Sequence, residues 1–239
     1  MSDQLPGQEG VPRLAVFDVD GTLVDSQHMI VAAMAEAFAA SGLVAPEPVE
    51  VRRVVGLSLR PAISELMPGL DAADLEVLEG HYKDAFFDLR EAGELAEIPF
   101  DGSIQALDAL EGVGWILGIA TGKSTRGLME MLERFDLTDR FVTLQTADQG
   151  PGKPAPDMLH RAMAEAGVKA IATVMVGDTS FDMAMARSAR VAAIGVSWGY
   201  HEEHELVAAG AARVISSFDD LPQAVDAMIP RDKAEQGRP

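Results

Sequence analysis

The chain has no cysteine, which rules out thiolate nucleophiles, disulfides and Cys-ligated zinc from the outset. It is short of basic residues as well: 19 Lys and Arg stand against 38 Asp and Glu, for a net charge of −19. Such a balance repels polyphosphate backbones and anionic lipid headgroups, so neither nucleic acid nor a membrane surface is expected as a partner. No apolar run approaches the roughly 20 residues needed to cross a bilayer. The opening "MSDQLPGQEGVPR" has neither the basic start nor the apolar stretch of a secretory leader. A soluble, cytoplasmic protein is expected. Internal repeats are missing too, and only the polar ends, residues 1–11 and about 230–239, read as loose tails.

What is present is a chain of 239 residues, 48% hydrophobic, enough for one large domain or a core domain carrying a smaller one. Short apolar runs at Leu14–Val19, Trp115–Ala120, Phe141–Leu144, Thr173–Val176, Val191–Val196 and Arg213–Ile215 read as strands. Helical patterns over Thr125–Phe135, Pro156–Ala166, Phe181–Ser188, His204–Ala209 and Leu221–Met228 alternate with them. That alternation predicts an α/β fold, a doubly wound parallel sheet with a Rossmann-like core. From Gln27 to about Ala96 the pattern is helical only, with segments near Val49–Val55, Arg60–Leu66 and Asp74–Glu91 after a first helix carrying Ile30, Met34 and Phe38. The expected division is therefore a core of residues 12–26 and 97–230 and a helical insertion of residues 27–96.

In "VFDVDGTLVDS", residues 16–26, an apolar strand ends in two carboxylates, Asp18 and Asp20, a costly burial unless a cation offsets them. Open α/β sheets bind ligands at the carboxyl ends of their strands. There the sequence places Thr121, Gly122 and Lys123 in "IATGKS", Lys153 in "PGKPAPD", and Asp178 and Asp182 in "VGDTSFD". Four carboxylates form a hard, oxygen-only donor set that suits Mg²⁺ better than zinc or copper. Beside such a cation one carboxylate can attack phosphorus while another, two residues on, protonates the leaving oxygen. Thr121 and Lys153 would hold phosphoryl oxygens, and Gly21 would let the backbone approach the phosphate.

In this order and combination the motifs resemble those of the haloacid dehalogenase superfamily of phosphotransferases, over residues 14–228. The resemblance implies that Asp18 is the nucleophile, forming an aspartyl phosphate, and that Asp20 is the general acid/base and gives its carbonyl to Mg²⁺. It implies phosphate binding by Thr121, Gly122 and Lys153, metal binding by Asp18, Asp20 and Asp178, and support of the metal from Asp182. The insertion corresponds to the family's helical cap. The start "DGTLVDS", the cap and "RRVVGLSLRPAI" look most like phosphoglycolate phosphatase and its relatives, so 2-phosphoglycolate is the leading substrate among small phosphorylated metabolites.

Three alternatives stand beside that reading. A β-phosphoglucomutase-like sugar phosphomutase would place a His and an Arg where Ile30 and Leu59 stand, with Arg60 one place displaced; a pyrophosphatase is the second enzyme alternative. The third is a catalytically silent binding module, whose expected mark is a damaged motif. Among cap residues, Arg53, Gly56, Leu57 and Arg60 are the candidate substrate contacts, with Arg52, His28 and His81 as further cations. Asp25 and Ser26 are expected to cap the first cap helix, Lys123 to be surface charge, "HEEH" (201–204) to be a solvated helix start, and the methionines to fill the core. "GIATGKS" fails as a P-loop because position 117 is Leu, and "DVDGT" fails as an EF-hand because its twelfth position is Met29. Monomer and homodimer are both open.

Overall fold

A computed structural model describes residues 11–93 and 95–230; the expected tails, residues 1–10 and 231–239, lie outside the described residues. The first strand, β1 (Arg13–Phe17), is followed by a two-residue strand β2 (Val24–Asp25) and then by four helices, α1 (Gln27–Ala40), α2 (Pro48–Val54), α3 (Leu59–Leu66) and α4 (Ala72–Ala92). The chain returns through β3 (Ile98–Pro99). It then alternates α5 (Ser103–Gly112), β4 (Trp115–Ala120), α6 (Thr125–Arg134), β5 (Phe141–Gln145), α7 (Asp157–Ala166), β6 (Thr173–Gly177), α8 (Ser180–Ala189), β7 (Ala192–Val196), α9 (Glu203–Ala209), β8 (Arg213–Ile215) and α10 (Leu221–Met228). No helix among these residues is long and apolar enough to cross a membrane.

Six strands form one sheet in the order β5-β4-β1-β6-β7-β8, every pair parallel. Strand β1 is central and wholly buried, which is why "RLAVF" is a continuous apolar run after its first residue. Its register sets Phe17 beside Ile119 of β4 and Val176 of β6. The chain order reverses across β1, so the carboxyl ends of β1, β4 and β6 meet at a topological switch point. The doubly wound architecture read from the alternating pattern is the one found. The pattern missed α5 and the two short strands, β2 and β3.

Two hydrophobic clusters hold the molecule. One surrounds the main sheet and includes Met131, Met158, Met175, Met183 and Met185, all buried, as expected of methionine as filler. The second lies within the four helices, where Ile30, Met34, Phe38, Val51, Ile63 and Leu78 pack together. The antiparallel pairing of β2 with β3 (Val24 opposite Pro99, Asp25 opposite Ile98) brings the entrance and exit of the helical segment side by side.

Candidate active site

Asp18 follows β1 directly, and its N–H donates to Val176 O at 3.0 Å, which pins the loop between β4 and β6. Its carboxylate is buried, and Lys153 Nζ lies 2.8 Å from Oδ2. The same ammonium lies 2.7 Å from Asp182 Oδ1, so Lys153 bridges the end of β1 and the first turn of α8. Asp182 is held from its other side in a capping box, Oδ2 accepting from Thr179 N at 3.1 Å and Thr179 Oγ1 at 2.7 Å. Asp178 is fully satisfied: Oδ1 accepts from Thr22 Oγ1 at 2.7 Å and Oδ2 from Tyr200 N at 2.9 Å. Gly21, at φ +80°, and Gly199 make room for it, since a Cβ on either would collide with its carboxylate.

Asp18, Asp178 and Asp182 each offer an oxygen within 4.8 Å of the others, all buried, with one lysine between them. Ionised together, three carboxylates and one ammonium would leave two negative charges in a buried place. Neither oxygen of Asp18 has an aligned hydrogen-bond donor among the described residues, and Lys153 meets Oδ2 as an ion pair only. Orphaned buried carboxylate oxygens of this kind call for a cation, and an all-oxygen set is the type that holds a hard divalent ion. Burial, seconded by Asp182 and Asp20 and opposed by Lys153, pushes the Asp18 carboxyl up to about 7. Burial, then Asp18 and Asp182, raises Asp178 well above the usual carboxylate range. Burial by itself would lower Lys153, but the two aspartates override it and keep the ammonium charged.

Asp20 is locked differently. Its Oδ1 takes the Ser26 hydroxyl at 2.5 Å and Lys123 Nζ at 2.9 Å, and its Oδ2 takes no hydrogen bond among the described residues. Lys123 is not the surface charge expected from its position. Its side chain is 9% exposed, pairs also with Glu97 Oε1 at 2.7 Å, and sits 5.3 Å from the Phe86 ring of α4. Burial would lower its pKa, but Asp20 and Glu97 together hold it far above. Ser26 likewise departs from expectation: it stands at the N-cap of α1 but makes no side-chain cap bond, because its hydroxyl goes to Asp20. Asp25 serves the helix start instead, its Oδ1 accepting from Gln27 N at 3.2 Å.

A cavity of about 570 Å³ opens between these loops and the four helices, lined by Asp18, Asp20, Thr121, Gly122 and Lys123 on one side and by α2 to α4 and their turns on the other. Thr121 Oγ1 accepts from Lys123 N at 3.2 Å, which leaves its own proton free to donate. The turn Gly56–Ser58 is pressed onto the core loops. A Cβ on Gly122 would come 2.5 Å from Leu57 O, one on Gly56 would come 2.9 Å from Thr179 Oγ1, and one on Gly152 would collide with Ser58 Oγ. The helical segment is thus closed over the strand ends.

Of the cap cations, Arg60 lines the cavity but is paired with Glu79 at 2.6 Å. Arg53 does not line it. Its exposed guanidinium faces Glu205 at 3.6 Å, because it points off the far side of α2. His81 is engaged with Ser41 inside the cap, and His28 faces solvent. His201 of "HEEH" is only partly the solvated residue expected: it bonds Ser180, and its Nε2 lies 3.2 Å from Arg53 O, joining core to cap. Sequence reasoning missed Thr22, Ser26, Glu97, Lys123 and Tyr200 around the site. A signal did exist for Lys123 in the "TGK" adjacency, but none for Glu97.

Comparison with known proteins bears on this geometry. The family model described as "Haloacid dehalogenase-like hydrolase" matches residues 15–196. The chain is 33% identical over 218 residues to "Probable phosphatase IndB" of Dickeya dadantii, covering 90% of this chain and 94% of that protein. It is 30% identical to the phosphoglycolate phosphatase of Mesorhizobium japonicum, over 87% of this chain and 92% of that one. A solved hydrolase structure from Pseudomonas syringae superposes with a TM-score of 0.80 at 27% identity, covering 90% of this chain and 98% of that one.

Proposed function

The chain belongs to the haloacid dehalogenase-like hydrolases, and on that premise we propose that it is a Mg²⁺-dependent phosphomonoester hydrolase acting on a small phosphorylated metabolite. The observation that carries the reading is the division of labour between two neighbouring carboxylates. Asp18 keeps buried oxygens with no hydrogen-bond donor, while Asp20 has one oxygen locked and the other free.

Asp18 attacks phosphorus; the new bond to its carboxylate oxygen forms as the bond from phosphorus to the alcohol oxygen breaks. Asp20 Oδ2 gives its proton to that departing oxygen, then takes one from the water that cleaves the aspartyl phosphate and frees Asp18. Thr121 Oγ1, the Gly122 N–H and Lys153 Nζ bind phosphoryl oxygens and offset charge in the transition state. The residues that would hold Mg²⁺ are Asp18, Asp178 and the main chain of Asp20, with Asp182 as support through Lys153, and the ion supplies charge neutralisation of the phosphoryl group. Tyr200 and Thr22 keep Asp178 oriented, and the closed cap excludes bulk water.

Names of relatives support 2-phosphoglycolate as the first ester to try. The test is inorganic phosphate release from a panel of phosphate esters with Mg²⁺ or EDTA, native protein against Asp18→Asn. Metal-dependent release lost in Asp18→Asn is the expected result. Isomerisation of a sugar phosphate without release would favour a mutase, and silence on every ester, with Mg²⁺ bound, would leave a binding module.

A further inference from the structure

The cap side of the cavity has a chemistry of its own. Its volume, about 570 Å³, falls in the range of roughly 300–1,000 Å³ that houses drug-sized ligands, far more than a two-carbon acid phosphate fills. Its cations each face a carboxylate already: Arg60 faces Glu79 at 2.6 Å, Arg90 and Arg126 share Glu130 at 2.5 and 2.9 Å, and Lys123 faces Asp20 and Glu97. The exposed Lys83 has Glu79 at 4.0 Å, and the carboxylates of Asp84 and Asp148 also line the space. A substrate carboxylate entering here would have to compete with Glu79 and Glu130 for these cations, with Asp84 and Asp148 adding like charge nearby.

The wall offers aromatic surface instead. Tyr82 and Phe86, one turn apart on α4, present rings 6.0 Å apart and inclined at 36°. Phe86 also borders Lys123, so this aromatic surface begins beside the side chain that anchors Asp20, where the leaving oxygen must sit. The Tyr82 hydroxyl has no hydrogen-bond partner among the described residues. Burial raises its pKa beyond the ordinary phenol value, so it stays protonated and able to donate. Isoleucine and methionine from α1, Ile30 and Met34, complete an apolar floor.

Resting on the phosphatase reading above, we propose that the substrate is the phosphate monoester of an uncharged, ring-bearing alcohol, its ring lying against Tyr82 and Phe86, and not the ester of a small hydroxy acid. The free Tyr82 hydroxyl donates to a neutral oxygen or nitrogen acceptor on that body. Selectivity comes from apolar and aromatic contact together with rejection of a second negative charge.

The test compares kcat/KM of the Mg²⁺-loaded protein for benzyl phosphate, ethyl phosphate and 2-phosphoglycolate, whose alcohols are similarly poor leaving groups. Benzyl phosphate is expected to exceed both others by at least about tenfold. Phe86→Ala is expected to lower the benzyl-to-ethyl ratio about fivefold or more, with thermal melts confirming that the variant is folded. Equal or better use of 2-phosphoglycolate overturns the proposal, as does an unchanged ratio in folded Phe86→Ala. If no ester is turned over, the hydrolase reading falls by itself. Calorimetric binding of the same three esters then decides the ligand class: benzyl phosphate binding tightest upholds it, and no preference or no binding overturns it.

Discussion

Replacing Lys123 with Met keeps the length and apolar stem of the side chain but removes the ammonium between Asp20 and Glu97. The three side chains are 9%, 12% and 3% exposed, so this is a buried ion triad, and the ammonium is within 2.9 Å of one carboxylate and 2.7 Å of the other. Removing one partner from a buried pair costs about 3–5 kcal/mol, mostly through the charge left behind. In a chain of this size each kcal/mol moves Tm by about 2–4 °C, so a fall of roughly 10 °C is expected. Adding Glu97→Gln removes the stranded charge and should recover about half of that loss. Phosphate release behaves differently: Asp20 has lost one of its two anchors in both variants, so kcat falls about tenfold in each and is not rescued. Asp20 and Glu97 hold the ammonium far above its ordinary range, so in the native protein it stays charged from pH 6 to pH 9. Thermal melts and a phosphate assay suffice. A Tm change below about 2 °C for Lys123→Met, or no recovery on adding Glu97→Gln, would refute the account of Lys123 as a buried brace.

Other outcomes follow from the same geometry. With EDTA present, stability should fall as pH rises from about 4 to about 7, because folded Asp18 keeps a proton that the unfolded chain has already released; a pH series of melts checks this, and Asp18→Asn should reduce the slope, the raised Asp178 carboxyl supplying the rest. Mg²⁺ binding needs Asp18 ionised, so the rise in Tm on adding Mg²⁺ should be larger at pH 8 than at pH 5.5. At 100 times Kd it corresponds to about 2.7 kcal/mol, and Asp178→Asn should abolish it. Gly21→Ala places a methyl against the Asp178 carboxylate and the Tyr200 ring at a positive φ, so phosphate release should drop by at least about a hundredfold in a protein that melts several degrees lower.

Legibility from sequence followed the range of the forces involved. The strand ends were readable because a buried parallel strand writes itself as a continuous apolar run, and the aspartates that interrupt those runs are conspicuous. Ser26 and Lys123 were misread because their partners are set by tertiary folding. Lys123 meets Glu97 only because the chain returning from the cap passes beside β4, and it is shielded only because Phe86 of α4 closes over it. Asp20 likewise outcompetes the backbone of α1 for the Ser26 hydroxyl, a preference that no capping rule contains. Helix α5 is weakly marked in sequence because "SIQALDALEG" starts straight after Gly102, which sits at a positive φ and gives no side-chain cap to announce a helix. Arg53 was misjudged because a short helix does not reveal from sequence which side faces the cavity.

The pairing of β2 with β3 has a consequence for how this architecture can change. Since Val24 faces Pro99 and Asp25 faces Ile98, everything between them leaves and rejoins the sheet at one spot, as the two ends of a hairpin do. For the main sheet, those helices are topologically a single long loop, and loop-closure entropy grows only slowly with length. A shorter, longer or wholly different cover can therefore be exchanged at this junction without rethreading any of the six strands, which makes it the natural crossover point for building chimeras that recombine one catalytic base with many lids.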